Sequence, residues 1–207
     1  MKKIARIYLV DDDEAVRHAL ITLLSTSGYM ASGFDSAESF LDSVDLSKPG
    51  VLLLDQRMNG MSGLELQKEL VIRNVDMPII FITGHGDIPM SVIAMRSGAV
   101  TVLEKPFNNS QLIDSLEESL AVVRKNTAVR QLQANIRSRF DTLTSREQQV
   151  MKYVVQGMTN RTIAEVMELS NRTVEVHRSK VMKKMQATTL PELVLMAPAC
   201  GLDPSER

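Results

Sequence analysis

The sequence predicts an α/β fold, a doubly wound parallel five-stranded sheet, followed by a small all-α domain. Three observations carry that prediction. Apolar runs of strand length recur five times before Lys105, segments with helical apolar spacing lie between them, and beyond Asp141 these runs give way to closely spaced helix start and stop signals.

In chain order, strands are expected at residues 4–10, 29–34, 51–54, 78–83 and 100–103. Helical spacing between them is carried by Val16, Leu20, Leu23 and Leu24, by Leu64, Leu66 and Leu70, and by Val92, Ile93 and Met95. After Pro106 a helix starting near Ser110 carries Leu112, Leu116, Leu120 and Val123. The spacing resumes at Val129, Leu132, Ile136 and Phe140 with no Pro or Gly between, which predicts a helical, basic linker with a solvated charged face rather than a flexible tether. Thr144 and Glu147 form a capping box, and Gly157 can end that helix. Thr159 can cap a second helix through Met167, Ser170 a third through Met185, and Thr189 with Glu192 a fourth. Short helices joined by tight turns predict a helix-turn-helix domain. The expected division is a first domain at 1–122, a linker at 123–141 and a helical domain at 142–207.

With 44% hydrophobic and 24% charged residues the chain has material for a real core. The single Cys200 excludes an internal disulfide framework or multi-cysteine metal site and fits a reducing cytoplasm. The apolar run at 4–10 is too short for a signal peptide, and no stretch approaches the roughly 18 apolar residues of a membrane span, so a soluble protein with no membrane partner is expected. The net charge of −1 hides an asymmetry. Residues 1–120 hold 10 Lys and Arg against 17 Asp and Glu, whereas residues 121–207 hold 14 against 8, so only the second half suits a polyanion.

Ligands of an open parallel sheet bind beyond the carboxyl ends of its strands. Asp11 and Asp12 follow the first expected strand, Asp55 the third, Thr83 the fourth and Lys105 the fifth. Singly, each has an ordinary explanation as a cap, a turn or a loop charge; together they make one site. Carboxylates so crowded require shifted pKa values or a cation, and Mg²⁺ suits carboxylate, carbonyl and phosphoryl oxygens, with Lys105 as a point charge for the phosphoryl group.

The segments VDDDEAVR, LLLDQRMNGMSGLEL, PIIFITGHGDIPMSVIAM and GAVTVLEKPF resemble the receiver domain of response regulators, specifically the FixJ branch, over residues 1 to about 120. The resemblance implies a flavodoxin-like receiver in which Asp55 takes a phosphoryl group from the phosphohistidine of a partner sensor kinase. Asp12 and Asp55 would coordinate Mg²⁺ directly, Asp11 through water and Arg57 by its backbone carbonyl, with Thr83 and Lys105 contacting the phosphoryl group. It also implies a cis bond between Lys105 and Pro106. Two positions depart from the family pattern. Asn59 stands where a proline is usual and should loosen its loop, and Val102 stands where Tyr or Phe is usual, which puts the coupled aromatic rotation in doubt. His85 reads as a loop residue flanked by glycines; a narrower expectation is that Arg57 and His85 obstruct attacking water and set the phosphoryl lifetime.

In the second half, winding residues 172–185 at about 100° per residue puts Val174, His177, Val181 and Met185 on one face, and Arg172, Glu175, Val176, Ser179 and Lys183 opposite. The segment LTSREQQVMKYVVQGMTNRTIAEVMELSNRTVEVHRSKVMKKM resembles the LuxR-type helix-turn-helix of FixJ and NarL regulators. That resemblance sends helix 172–185 into the major groove, with base contacts from Glu175, Val176 and Ser179. Arg172, Thr173, Lys180, Lys183 and the helix start at Thr159, Asn160 and Arg161 would grip phosphates, while Glu175 could instead pair with Arg172 or Arg178.

Together these imply a regulator that dimerises on phosphorylation through residues 89–120, binds promoter DNA and acts, as an activator, with RNA polymerase. Two other classes stay open on the residues. An aspartyl-phosphate phosphatase needs an acid/base aspartate where the chain has Arg57, and a constitutive reader with a degenerate receiver is suggested by Asn59 and Val102.

Overall fold

The computed structural model describes residues 5–84 and 88–204. Strands β1 (Arg6–Val10), β2 (Ala31–Phe34), β3 (Gly50–Asp55), β4 (Ile79–Gly84) and β5 (Thr101–Lys105) form one sheet in the order β2-β1-β3-β4-β5, with every pair parallel. The expected five-stranded parallel sheet is present, its strand ends within two residues of those read from the sequence; residue 4 lies outside the described residues.

Side chains alternate across a strand, and here both faces are apolar. Ile7, Leu9, Val51, Leu53, Ile80 and Ile82 face α1 (Glu14–Thr26) and the first part of α5 (Asn109–Asp141), meeting Leu20, Leu24, Leu112 and Leu116. Tyr8, Val10, Leu52, Leu54, Ile79 and Phe81 face α2 (Ala37–Ser43), α3 (Gly63–Ile72) and α4 (Ile88–Arg96), meeting Phe40, Leu66, Leu70, Met90 and Ala94. The sheet is therefore doubly wound, and the order reverses at β1 and β3, which opens a crevice at their carboxyl ends. Helix α2 has no counterpart among the expected helices. Only Ala37 and Phe40 of its seven residues are buried, too few to display a 3.6-residue period.

Helix α5 runs unbroken for 33 residues. The chain divides into two compact units between Thr127 and Ala128. Leu112, Leu116, Leu120 and Val123 belong to the core of the first unit, Ile136 and Phe140 to that of the second. The stretch expected as a linker thus supplies core residues to both units. Part of its charge is also engaged: Arg137 donates to the carbonyl of Cys200 (3.0 Å) and Arg139 to that of Met185 (3.2 Å).

The second unit continues with α6 (Ser145–Val155), α7 (Asn160–Met167), α8 (Asn171–Met185), α9 (Leu190–Met196) and a 3₁₀ turn (Ala197–Cys200). The caps follow the sequence. The Thr144–Glu147 capping box forms, Gly157 takes φ +81° just beyond α6, and Thr159, Ser170 and Thr189 each accept from the backbone N–H three residues on. Val150, Met151, Val154, Ile163, Val174, Val181, Met185 and Leu193 close the core.

Candidate functional site

At the carboxyl ends of the strands a crevice of about 210 Å³ is bordered by Asp11, Asp12, Asp13, Asp55, Arg57, Thr83, Gly84 and Lys105. A larger groove of about 470 Å³ beside Arg6, Tyr8, Phe34 and Lys48 contains none of the residues expected to act, and the chemistry places the site in the smaller one. Asp11 is 1%, Thr83 4% and Asp55 7% exposed. The Lys105 ammonium joins the two acids, donating to Asp11 Oδ2 at 3.0 Å and to Asp55 Oδ1 at 2.8 Å. Their remaining oxygens are held by backbone: Asp13 N–H donates to Asp11 Oδ1 (2.9 Å), and Arg57 N–H to Asp55 Oδ2 (2.7 Å). Arg17 reaches the carbonyl of Asp11 at 2.7 Å and fixes the end of β1. The bond between Lys105 and Pro106 is cis.

Burial pushes the Asp55 carboxyl up from its ordinary pKa, helped by the charge of Asp11, and outweighs the pull of Lys105 and the Arg57 N–H. Burial also pulls the Lys105 ammonium down, yet its bonds to Asp55 and Asp11 prevail and its pKa rises. The charged lysine is therefore well satisfied, whereas the ionised aspartate remains under-compensated. Such a carboxylate gains from further positive charge. Asp11, Asp12, Asp55 and Arg57 border the crevice, and carboxylates and a backbone carbonyl are hard oxygen donors of the kind Mg²⁺ takes. Among the described residues no three Asp, Glu, His or Cys side chains are gathered to hold a metal alone, so a cation there would also draw on the carbonyl and on water.

Asn59 does not loosen its loop. Its backbone N–H and its side-chain amide both donate to Asp12 Oδ2, at 3.1 and 2.9 Å, a double tie that a proline could not make. Glu38 of α2 accepts from Met61 N–H at 3.1 Å and holds the far side of the same loop. Val102 sits opposite Phe81 in the sheet, half-buried against the α2–α3–α4 core, as a strand residue. His85 lies outside the described residues.

In the second unit, Val174, Val181 and Met185 are buried as expected, while His177 is half-buried with an Nδ1 that has no hydrogen-bond partner among the described residues. Arg172, Glu175, Val176, Ser179, Lys180 and Lys183 are exposed on α8, and Thr159 and Arg161 are exposed where α7 begins. Thr173 is half-buried, its hydroxyl 2.7 Å from that of Ser170. Arg161 lies 3.1 Å from Glu165. Neither Arg172 nor Arg178 pairs with Glu175: Arg178 instead donates to Asn160 Oδ1 at 2.9 Å and braces α8 against the start of α7.

Residues 7–117 match the response regulator receiver domain and residues 141–197 the bacterial regulatory proteins of the luxR family. The chain is 44% identical to the transcriptional regulatory protein FixJ of Rhizobium meliloti, over 96% of this chain and 98% of that protein, and 39% identical to the response regulator protein TodT of Pseudomonas putida, over 91% and 83%. Among solved structures it is similar to the response regulator StyR (TM-score 0.81, 40% identity, 94% and 98% covered) and to full-length FixJ from B. japonicum (TM-score 0.58, 39%, 95% and 97%). The chain belongs to the two-component response regulators.

This response regulator couples a receiver domain to a LuxR-type DNA-binding domain, in a family of transcriptional regulators rather than enzymes, which sets aside the phosphatase alternative. No helix among the described residues is long and apolar enough to cross a membrane. Three residues of the regulator escaped sequence reasoning: Glu38, Arg178 and the anchoring role of Asn59. The Arg178–Asn160 bond joins residues 18 apart, beyond the reach of a local signal, and Glu38 had none because its helix was not itself apparent.

Proposed function

We propose that Asp55 of this regulator is phosphorylated by a partner sensor histidine kinase and that the modified chain pairs with a second copy to bind promoter DNA. The observation that carries this reading is the Lys105 bridge between the buried carboxylates of Asp11 and Asp55. An Asp55 oxygen attacks the phosphorus of the phosphohistidine, the P–N bond breaks, and the departing imidazole nitrogen takes a proton. Lys105, already within bonding distance of Asp55, then pairs with the new phosphoryl oxygens, and the buried Thr83 hydroxyl turns towards them. Asp12, Asp55 and the Arg57 carbonyl would hold Mg²⁺, with Asp11 acting through water. When bound, the ion neutralises phosphoryl oxygens and favours the ionised form of Asp55.

Val92, Ile93 and Met95 of α4 are 45%, 46% and 48% exposed, an apolar patch suited to self-association through residues 89–120 once the site is modified. Paired readers then place two α8 helices in successive major grooves, about 34 to 36 Å apart for half-sites one turn distant. Glu175, Val176 and Ser179 read bases there; Arg172, Thr173, Lys180, Lys183, Thr159, Asn160 and Arg161 hold phosphates. The regulator works in the cytoplasm and acts with RNA polymerase, as an activator. A constitutive reader with a relic pocket loses ground because Asn59 secures Asp12 and the Lys105 bridge is intact.

The test is incubation of the full chain with Mg²⁺ and a small phosphodonor. The wild type should gain one phosphoryl group, self-associate and bind operator DNA more tightly, with Asp55→Asn inert on all three counts. Equal DNA affinity of treated and untreated wild-type protein would sink the proposal.

A further inference from the structure

We infer that Asn59 is a positioning residue for the cation site, setting the affinity of this receiver for Mg²⁺ by fixing two of its oxygen donors relative to each other. The inference rests on the cation site proposed above. Asn59 binds Asp12 twice through a single acceptor, Oδ2, and no described residue donates to Asp12 Oδ1. One carboxylate oxygen is thus committed to the protein while the other stays available. That is the arrangement found around many metal sites, where a hydrogen-bonded outer partner holds a ligating carboxylate in place.

The tie also has two ends. Asp12 follows β1, whereas Asn59 lies two residues beyond Arg57, whose carbonyl is the other donor in question and whose N–H is already fixed to Asp55 Oδ2. Between them, the Arg57 and Asn59 bonds fasten the loop after β3 to both aspartates, and Met61 N–H on Glu38 fastens its far side to α2. Free, this segment would order only on binding the ion, at a cost in conformational entropy; held beforehand, it loses less. Asp12 is itself solvent-exposed, so without Asn59 nothing among the described residues would restrain its side chain.

The experiment is calorimetric titration of Mg²⁺ into the full chain with no phosphodonor present, so that affinity is read apart from phosphorylation. Asn59→Ala keeps the backbone N–H and removes the amide; Asn59→Pro removes both donors. Loss of such outer partners weakens metal binding by about 10- to 100-fold. Asn59→Ala should weaken binding by an amount near the lower end of that range and Asn59→Pro by more, while the metal-free melting temperature of the exposed-loop variant Asn59→Ala stays that of the wild type. Wild-type affinity or tighter binding in Asn59→Ala overturns the inference and leaves the cation site standing. Failure of the wild type itself to bind Mg²⁺ overturns both.

Discussion

Two of the buried carboxylates, Asp55 and Glu147, lie at nearly the same distance from a lysine, and they behave oppositely. In the receiver, Lys105 lies 2.8 Å from Asp55; in the helical unit, Lys184 lies 2.6 Å from Glu147. Burial pushes both acids up. At Glu147 the bond and charge of Lys184, with the Thr144 N–H of the capping box, overcome that push and hold the carboxyl below its ordinary value; at Asp55, beside Asp11, they do not. A buried ion pair stabilises a fold only when the remaining hydrogen-bonding capacity is met and no like charge intrudes. Glu147 thus fastens its unit, whereas the ionised form of Asp55 stays under-compensated.

Removing each member should expose the contrast. The largest effect belongs to Glu147→Ala, which strips a capping box and strands a lysine: the helical unit should lose about 3 kcal/mol, read by amide exchange across α6 to α9. Its pKa is lowered, so its contribution is complete above the ordinary 4.5 and lost as pH falls through the folded value. The gap between wild type and Glu147→Ala should therefore close in acid; a gap independent of pH would place the effect in packing instead.

Adjacent lysines of α8 give the next largest separation. Lys184 also donates to the Thr142 carbonyl (3.1 Å), whereas Lys183 is exposed with no salt bridge among the described residues. Lys184→Ala should cost about 2 kcal/mol of stability. Lys183→Ala should leave stability alone, weaken DNA binding across all sequences and reduce the salt slope of that binding by about 1. Equal melting temperatures for the two variants would erase the distinction.

The smallest effect has the opposite sign. Because the Asp55 pKa is raised, its ionised form costs the receiver stability at neutral pH; the favourable contribution exists below the ordinary 3.8 and disappears as pH rises through the folded value. Asp55→Asn should therefore stabilise the metal-free receiver by about 0.5 kcal/mol at neutral pH, with no gain below 3.8. A clear loss in a neutral-pH urea titration would show that Lys105 depends on Asp55 more than burial opposes it.

What the sequence disclosed and what it withheld divide along a physical line. Strands announced themselves because both faces are apolar, and the reader helices because Thr144, Thr159, Ser170 and Thr189 are local signals acting over three residues. Asp11, Asp55, Thr83 and Lys105 were legible because strand ends converge in a parallel sheet. Partners remote in sequence were not. Nothing near Glu147 reveals Lys184, nothing near Asn59 reveals Asp12, and α2 spans too few buried positions to show a period.

The shared helix α5 has a practical consequence for cutting the chain. A fragment beginning at residue 142 would discard Ile136 and Phe140, together with the arginines that hold the carbonyls of Met185 and Cys200. A receiver fragment ending at residue 122 would forfeit Val123. Autonomous pieces therefore need a cut inside one helix, between Val123 and Ile136, so the border of the two folding units is not a border of secondary structure.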